Sequence, residues 1–298
     1  MSVAALNQAL ELVQQNNPES LERALGLLQN TVYSFGMKVC GHPQDAEDTM
    51  QEVLIKSLPY LAKFESPKAL SVWLYRVARN RCLMNRRGAK NARHKHLSLD
   101  QLMPSHAELQ ELTYTQARNP ESALLHSENA QHLREALNRV SPLYRMILVL
   151  HDMEGLNTAE VAEVTKLREG TVRVRLHRGR LMLRRELERL ARAKGKVVHT
   201  ILASADEGPK PRTASCRKMF AELSDYVDGL LDDARRREMD RHLDGCQPCI
   251  VFLSSLRSAV AQCRLYEPNC NPERAQRLRQ QLLEQHQAAV AALSHARK

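Results

Sequence analysis

Aromatic side chains are scarce in this 298-residue sequence, at 4% with a single tryptophan. Runs of Val, Ile, Thr and Tyr at strand spacing are equally rare. Those residue types fill a pleated sheet, so their shortage excludes a sheet-built core. Long apolar runs are also missing. The longest, Met146 to Leu150, suits a core and falls far short of the roughly 20 residues that span a bilayer. Met1 to Leu10 has neither a basic flank nor an extended apolar stretch, so no leader is expected and a cytoplasmic location follows, without membrane insertion. No glycine loop able to cradle a phosphate and no nucleophile triad can be found, which argues against an enzyme. Leu, Ala, Arg, Glu and Gln dominate instead, and they favour helix. The expected fold class is therefore all-α. The net charge of +10 calls for an anionic partner, either nucleic acid or a membrane surface.

Helical spacing recurs along the chain. Leu21, Ala24, Leu25 and Leu28 form one stripe, and Ala46, Met50, Val53 and Ser57 another. Trp73 to Arg87 reads as a long helix entered through Ser66-Pro67. Residues 96–121 lose periodicity and read as a linker, with a short helix expected around Ala107 to Ala117. Leu133, Leu137 and Val140 resume the pattern. Ser141-Pro142 supplies an N-cap and first-turn proline, followed by Leu143, Met146, Ile147 and Leu150. Asn157 with Glu160 resembles a capping box that opens a helix over Thr158 to Thr165, and a basic helix follows to about Arg192. Gly208-Pro209-Lys210-Pro211 marks a second linker, 193–215. The expected domains are 1–95, 122–192 and 216–298.

Three constellations precede the second linker. The short helix, tight turn and basic helix over Asn157 to Arg189 make a helix-turn-helix, the motif that lays a recognition helix in the major groove. Val172, Leu176 and Leu183 face its core. Thr171, Arg173, Arg175, Arg178 and Arg180 lie on other faces, with chemistry suited to phosphates and guanine edges. The second constellation is the helix from Trp73. It carries Arg76, Arg79, Arg81, Arg86 and Arg87, then Lys90, Arg93 and Lys95, with no carboxylate between them. Such a run repels itself unless an anion is near. Asn80 and Asn85 suit base edges. Trp73 and Tyr75 suit either the core or stacking on unpaired bases. The third is an acidic face, Asp45, Asp48 and Glu52 with Gln51 beside them, suited to a basic protein partner or simply to solvent.

In this order, D-A-E-D-x-x-Q-E-V, then W-L-Y-R-V-A-R-N, then G-T-V-R-x-R-L-H-R-G-R, the segments resemble the extracytoplasmic-function sigma factors of the sigma-70 family over about Leu21 to Arg192. The resemblance implies that the chain directs RNA polymerase to promoters. Asp45, Asp48, Gln51 and Glu52 would then contact the core enzyme through its β′ and β subunits, with β′ clamp helices meeting the acidic face. Arg76, Arg79, Asn80, Arg81, Asn85, Arg86 and Arg87 would bind and open the −10 promoter element. Thr171, Arg173, Arg175, Arg178 and Arg180 would meet the −35 element. The chain departs from the family at one turn. Where the family usually has Leu-Gly, this sequence has Thr165-Lys166, which implies strain or a different turn.

Seven cysteines are present, and five of them fall in the last third. Clustering of that kind in a cytosolic protein suggests metal or redox chemistry more than structural disulfides. His242, Cys246 and Cys249 follow a His-x3-Cys-x2-Cys spacing, and Cys216 would complete a closed Cys3His zinc site; Cys263 and Cys270 are rivals for the fourth position. The segment from Cys216 resembles the zinc-finger fold of zinc-containing anti-sigma factors. That implies a module regulating the sigma domains in cis through intramolecular contact. Two other functions remain open at this point: a stand-alone helix-turn-helix regulator that needs no polymerase, and an anti-sigma-like interaction protein.

Overall fold

The computed structural model describes residues 3–15, 17–87, 102, 126–193 and 214–295. Among these residues every regular element is helical. The expected linkers over 96–121 and 193–215, and the short helix around Ala107 to Ala117, lie almost entirely outside them. The described residues form two compact units, neither of them one continuous stretch. The first comprises the described residues up to 87 with 154–167 and 267–295, and the second comprises 102, 126–153, 168–193 and 214–266.

The first unit is built on α1 (Val3–Gln14), α2 (Pro18–Cys40), α3 (Pro43–Ser57), a 3-10 turn (Leu58–Lys63) and α4 (Pro67–Arg87). Its apolar stripes meet as their spacing predicts. Ala24, Leu25 and Leu28 of α2, Ala46, Met50 and Val53 of α3, and Leu70, Leu74 and Ala78 of α4 are all buried. The helix expected from Trp73 begins two turns earlier, at Pro67, where proline suits the first turn because its missing N–H would have no partner there anyway. Gly36 shows why α2 and α3 can pack closely, since a Cβ there would sit 3.1 Å from the Ala46 Cα. Cys40, the last residue of α2, and Cys82 of α4 form a disulfide with Cα atoms 5.9 Å apart. The expectation of metal or redox chemistry concerned the five clustered cysteines and carried no information about these two, 42 positions apart. Helix α7 (Thr158–Thr165) and the last helix, α12 (Pro272–His295), complete the unit.

The second unit holds α5 (His126–Arg139), α6 (Pro142–Leu148), a π-helical turn (Val149–Met153), α8 (Glu169–Ala193), α9 (Ala214–Val227), α10 (Asp233–Gly245) and α11 (Gln247–Leu265). Ser141 sits at the N-cap of α6 without a side-chain cap bond. Leu143, expected in the apolar stripe of α6, is exposed. Arg145 is buried instead, and its guanidinium donates to the carbonyls of Asn138 and Val140 at 2.7 and 3.0 Å, satisfying the end of α5. Gly179, in the middle of α8, is a packing residue. A Cβ there would meet the Leu148 side chain at 3.0 Å and the Tyr144 carbonyl at 3.3 Å.

The capping box at Asn157 is formed in full: its side chain accepts from the Glu160 amide, and the Glu160 carboxylate accepts from the Asn157 amide, both at 2.9 Å. The helix ends at Lys166, with φ 55° and ψ 40°. Lys166 is the one non-glycine residue with positive φ among those described. A left-handed L-residue costs roughly 1–2 kcal/mol, and glycine gives back part of that through its own chain entropy. Lys166→Gly is therefore expected to stabilise the chain by about 0.5–1 kcal/mol, read as a rise of a few degrees in the thermal midpoint; an unchanged or lower midpoint would contradict the strain.

Candidate nucleic-acid interface and metal centre

Helix α8 has two working faces. Thr171, Val174, Arg175 and Arg178 recur at helical spacing on one of them. With Leu143, Tyr144 and Gly170 they line an open depression of about 480 Å³. Val174, 52% exposed, is among them, an apolar residue the basic pattern does not single out. Arg173 lies off this face and pairs with Glu169 at 2.9 Å.

The opposite face carries His177, Arg180 and Arg184, all buried. Arg180, expected among the DNA-facing residues, is 1% exposed and enclosed by carboxylates. It donates to Asp152 at 2.9 and 2.5 Å and to Asp228 at 2.9 and 2.7 Å. The structure thus removes Arg180 from the outward set. Burial opposes the Arg180 charge, but the bonds to Asp152 and Asp228 outweigh it and hold the guanidinium protonated. Burial likewise pushes the Asp152 carboxyl up, and bonds from Arg180 and His151 more than reverse that, leaving it below its ordinary range. His151, Asp152 and Asp228 have metal-binding spacing, yet Arg180 already supplies their cation.

The partners on this face come from α9 and α11. His177 Nδ1 lies 3.0 Å from the Ser224 hydroxyl, and its ring meets Phe220 edge-on at 5.8 Å. The Arg184 guanidinium lies 4.1 Å above the Phe252 ring, and its Nε donates to the Ser255 hydroxyl at 2.8 Å. Leu181 enters a core of Met219, Phe220, Leu223, Met239, Leu243, Phe252, Leu253 and Leu256. One residue of α8 therefore helps complete the core of α9 to α11. The sequence pattern of α8 gave no sign of this, because its partners lie some 40 to 75 residues later.

In the first unit, α4 presents its basic residues unevenly. Arg76 donates to the Glu163 carbonyl at 3.2 Å, and Arg79 donates to the Asn80 side chain at 3.2 Å. Arg81 pairs with Glu52 of α3 at 2.9 Å, which joins two residues expected in separate sites. Asn85, Arg86 and Arg87 belong to the last turn of α4 and only their backbone is described; Lys90, Arg93 and Lys95 lie outside the described residues. Trp73 is half-buried against Phe64 and Tyr60, with ring centroids at 5.8 and 6.4 Å. Tyr75 is buried, which leaves it no role in base stacking. On α3, Asp48 is exposed, while Asp45, Gln51 and Glu52 are half-buried.

The cysteine-rich segment converges on one point. Cys216 lies in the first turn of α9, His242 in the last turn of α10, Cys246 at the junction of α10 and α11, and Cys249 in the first turn of α11. The ligand atoms of the four lie within 4.8 Å of one another. Cys216 and Cys246 sulfurs are 3.9 Å apart, and His242 Nε2 is 3.3 Å from the Cys249 sulfur. A tetrahedral zinc with bonds near 2.3 Å separates its sulfurs by about 3.8 Å, so the donor set fits that ion. The Ser215 hydroxyl, 3.3 Å from His242 Nδ1, orients the imidazole as an outer partner does. Without a cation, burial and then the neighbouring Cys246 and Cys216 sulfurs push the Cys249 thiol far above its usual range. A metal is what would let these thiols ionise together. Cys263 and Cys270 are buried outside the cluster.

Three segments of the chain match known families, and the second of them spans parts of both compact units. Residues 26–92 match the family described as Sigma-70 region 2, residues 130–183 match Sigma-70, region 4, and residues 216–249 match a putative zinc-finger. The class so defined is a sigma factor of the sigma-70 type, a non-enzymatic transcription initiation factor, with a zinc-finger-like segment fused after it. The chain is 24% identical over 185 residues to the ECF RNA polymerase sigma factor SigW of Bacillus subtilis, covering 62% of this chain and 98% of that protein. It is 31% identical over 155 residues to the ECF RNA polymerase sigma factor SigE of Mycolicibacterium smegmatis, covering 51% and 56%. It is 29% identical over 152 residues to the ECF RNA polymerase sigma-E factor of Escherichia coli, covering 50% and 76%. Across its sigma-70 segments the chain is similar to ECF sigma factors.

Burial, followed by the charges of Arg180 and Arg178, lowers the His177 imidazole from its usual 6.5 to about 4. Between those values the unfolded chain takes up a proton that the folded chain refuses, so stability is full above pH 6.5 and declines as pH falls toward 4. The expected loss is about 3 kcal/mol at the acid end. His177→Phe keeps the ring contact with Phe220 and is expected to flatten this part of the thermal midpoint against pH; an unchanged slope in the variant would place the acid sensitivity elsewhere.

Proposed function

We propose that this chain is a promoter-directing subunit of RNA polymerase whose zinc module is a fixed part of its −35-reading domain. The observation that carries this reading is the division of α8. The module grips the face bearing His177, Arg180 and Arg184, and the face bearing Thr171, Val174, Arg175 and Arg178 stays open. An open helix face with basic residues and one exposed valine suits a major groove, where arginine reads guanine edges and an aliphatic group meets a thymine methyl. Helix α4 serves the −10 element through Arg76, Arg79, Asn80, Arg81, Asn85, Arg86 and Arg87. Asp45, Asp48, Gln51 and Glu52 of α3 dock on the β′ and β subunits of the core enzyme. The protein acts in the cytoplasm with polymerase, and no described helix is long and apolar enough to cross a membrane.

Zinc held by Cys216, His242, Cys246 and Cys249 is structural in this reading, because four protein ligands leave no open position for chemistry. Regulation in cis has a second support in the C-terminal helix. Ala275 of α12 accepts from the buried Gln29 side chain at 2.9 Å, Arg279 donates back to Gln29 at 3.0 Å, and Arg274 pairs with Glu47 of α3 at 2.9 Å. The tail is thereby fastened to the helix that carries the acidic face.

Run-off transcription with purified core polymerase, using templates from upstream of the protein's own gene, tests the assignment. Full-length protein is expected to give promoter-specific transcripts. Loss of one base-edge contact costs about 1–3 kcal/mol, so Arg175→Ala and Arg178→Ala are each expected to reduce transcript about tenfold or more. Duplex binding without any polymerase-dependent transcript would instead make the chain a stand-alone helix-turn-helix regulator. Metal analysis is expected to give one zinc per chain. Cys249→Ser, or a strong chelator, should remove that zinc and lower the stability of the second unit; a metal-free protein of undiminished stability would refute the site.

A further inference from the structure

The basic face of α4 is already occupied by carboxylates of the same compact unit. Lys38 of α2 and Glu154 form an ion pair at 2.8 Å, with their side chains 4% and 3% exposed. The Tyr75 hydroxyl donates to the other oxygen of Glu154 at 2.7 Å. Two turns before Tyr75, Lys68 pairs with Glu160 of α7 at 3.0 Å. Beside Tyr75, Arg76 meets Glu163 at 3.6 Å and donates to its backbone carbonyl. Glu154, Glu160 and Glu163 thus lie against Lys68, Tyr75 and Arg76, with Val161 and Val164 buried behind them. Two of these carboxylates, Glu160 and Glu163, meet basic residues of α4 about two turns apart, as phosphates of a nucleic-acid strand would.

We propose that helix α7 is a releasable cover on α4, its Glu160 and Glu163 holding Lys68 and Arg76 in place of DNA phosphates, and that single-stranded DNA binding to α4 displaces it. The inference rests on reading α4 as a DNA-binding helix. The contacts differ in kind. The Lys68–Glu160 and Arg76–Glu163 pairs are solvent-exposed and weakened by salt, so a polyanion can compete for them. The Lys38–Glu154 pair is shielded and resists salt, because breaking it leaves an uncompensated buried charge. The buried pair fixes where the segment sits, and the exposed pairs set how readily α4 is exchanged to DNA.

The test uses the full chain and a fluorescein-labelled single-stranded 20-mer at low salt. Binding is followed by anisotropy, and amide exchange of residues 154–165 is followed with and without the oligonucleotide. Binding is expected to speed exchange over that segment. The double variant Glu160→Gln with Glu163→Gln retains the capping box, since glutamine serves in it as well. It is expected to bind the oligonucleotide roughly threefold to tenfold more tightly, as the loss of two surface ion pairs implies. Arg79→Ala, outside the covered positions, is expected to weaken binding in both backgrounds and so locate the DNA on α4. Equal binding by wild type and double variant, or binding that leaves exchange over 154–165 unchanged, overturns the cover while leaving α4 as a DNA helix. No binding, or binding indifferent to Arg79→Ala, overturns the reading of α4 and the cover together.

Discussion

A single guanidinium organises the second unit. Arg180 cannot be buried alone, because removing a charge from water costs several kcal/mol unless its hydrogen bonds are replaced. Asp152, just before the helix-turn-helix, supplies one set of acceptors, and Asp228, at the end of the first zinc-module helix, supplies the other. The cation is satisfied only when both segments are in place. The long basic helix is therefore fixed in rotation about its own axis. With Arg180 pointing inward, Thr171, Arg175 and Arg178 must point outward, since their spacing places them on the far side of the helix. What turns outward on α8 is set by what is buried behind it.

The hydrophobic contribution runs the same way. A module of only about 50 residues, Ala214–Leu265, buries too little surface to be comfortably stable alone. This one takes Leu181 from α8 into its core and stacks Phe252 beneath Arg184. The four convergent Cys and His side chains bring the start of α9 to the junction of α10 and α11, so a metal held there would restrain the same three helices as the apolar contacts and the buried Arg180 network. A change at any one of them is felt by α8. The zinc-finger-like segment is better understood as a wall of the recognition domain than as an appendage.

Most of the helices and their inner faces were legible in the sequence, because local periodicity and capping chemistry decide them. Asn157 with Glu160 announced α7 to the residue, and Thr165-Lys166 announced the strained turn. The four convergent ligands were legible for a similar reason, since soft ligands at short spacing have few alternative explanations. The roles of the individual arginines were not. Arg175, Arg178 and Arg180 are chemically identical in sequence, and what separates them is a carboxylate 48 residues beyond Arg180. The Cys40–Cys82 bond and the Lys38–Glu154 pair are hidden for the same reason. Each joins residues far apart in the chain, and neither partner belongs to a recognisable local pattern.

The two DNA-directed helices thus differ in their state of readiness, and the difference follows from the sign of their neighbours. Around α8, the carboxylates of Asp152 and Asp228 sit behind the helix on the inward-facing Arg180, and Arg175 and Arg178 have no ion pair among the described residues. Around α4, carboxylates of Glu52, Glu160 and Glu163 sit on arginines and a lysine that would otherwise meet solvent. A basic surface with its counter-charges behind it is pre-organised for a polyanion and loses little on binding. A basic surface with its counter-charges in front must first exchange partners, and that exchange discriminates against weak or fleeting ligands. For an initiation factor this asymmetry has a direct consequence. On the proposed reading, duplex recognition by α8 would proceed from the resting state, and engagement of single strands by α4 would wait for a ligand strong enough to displace the protein's own carboxylates.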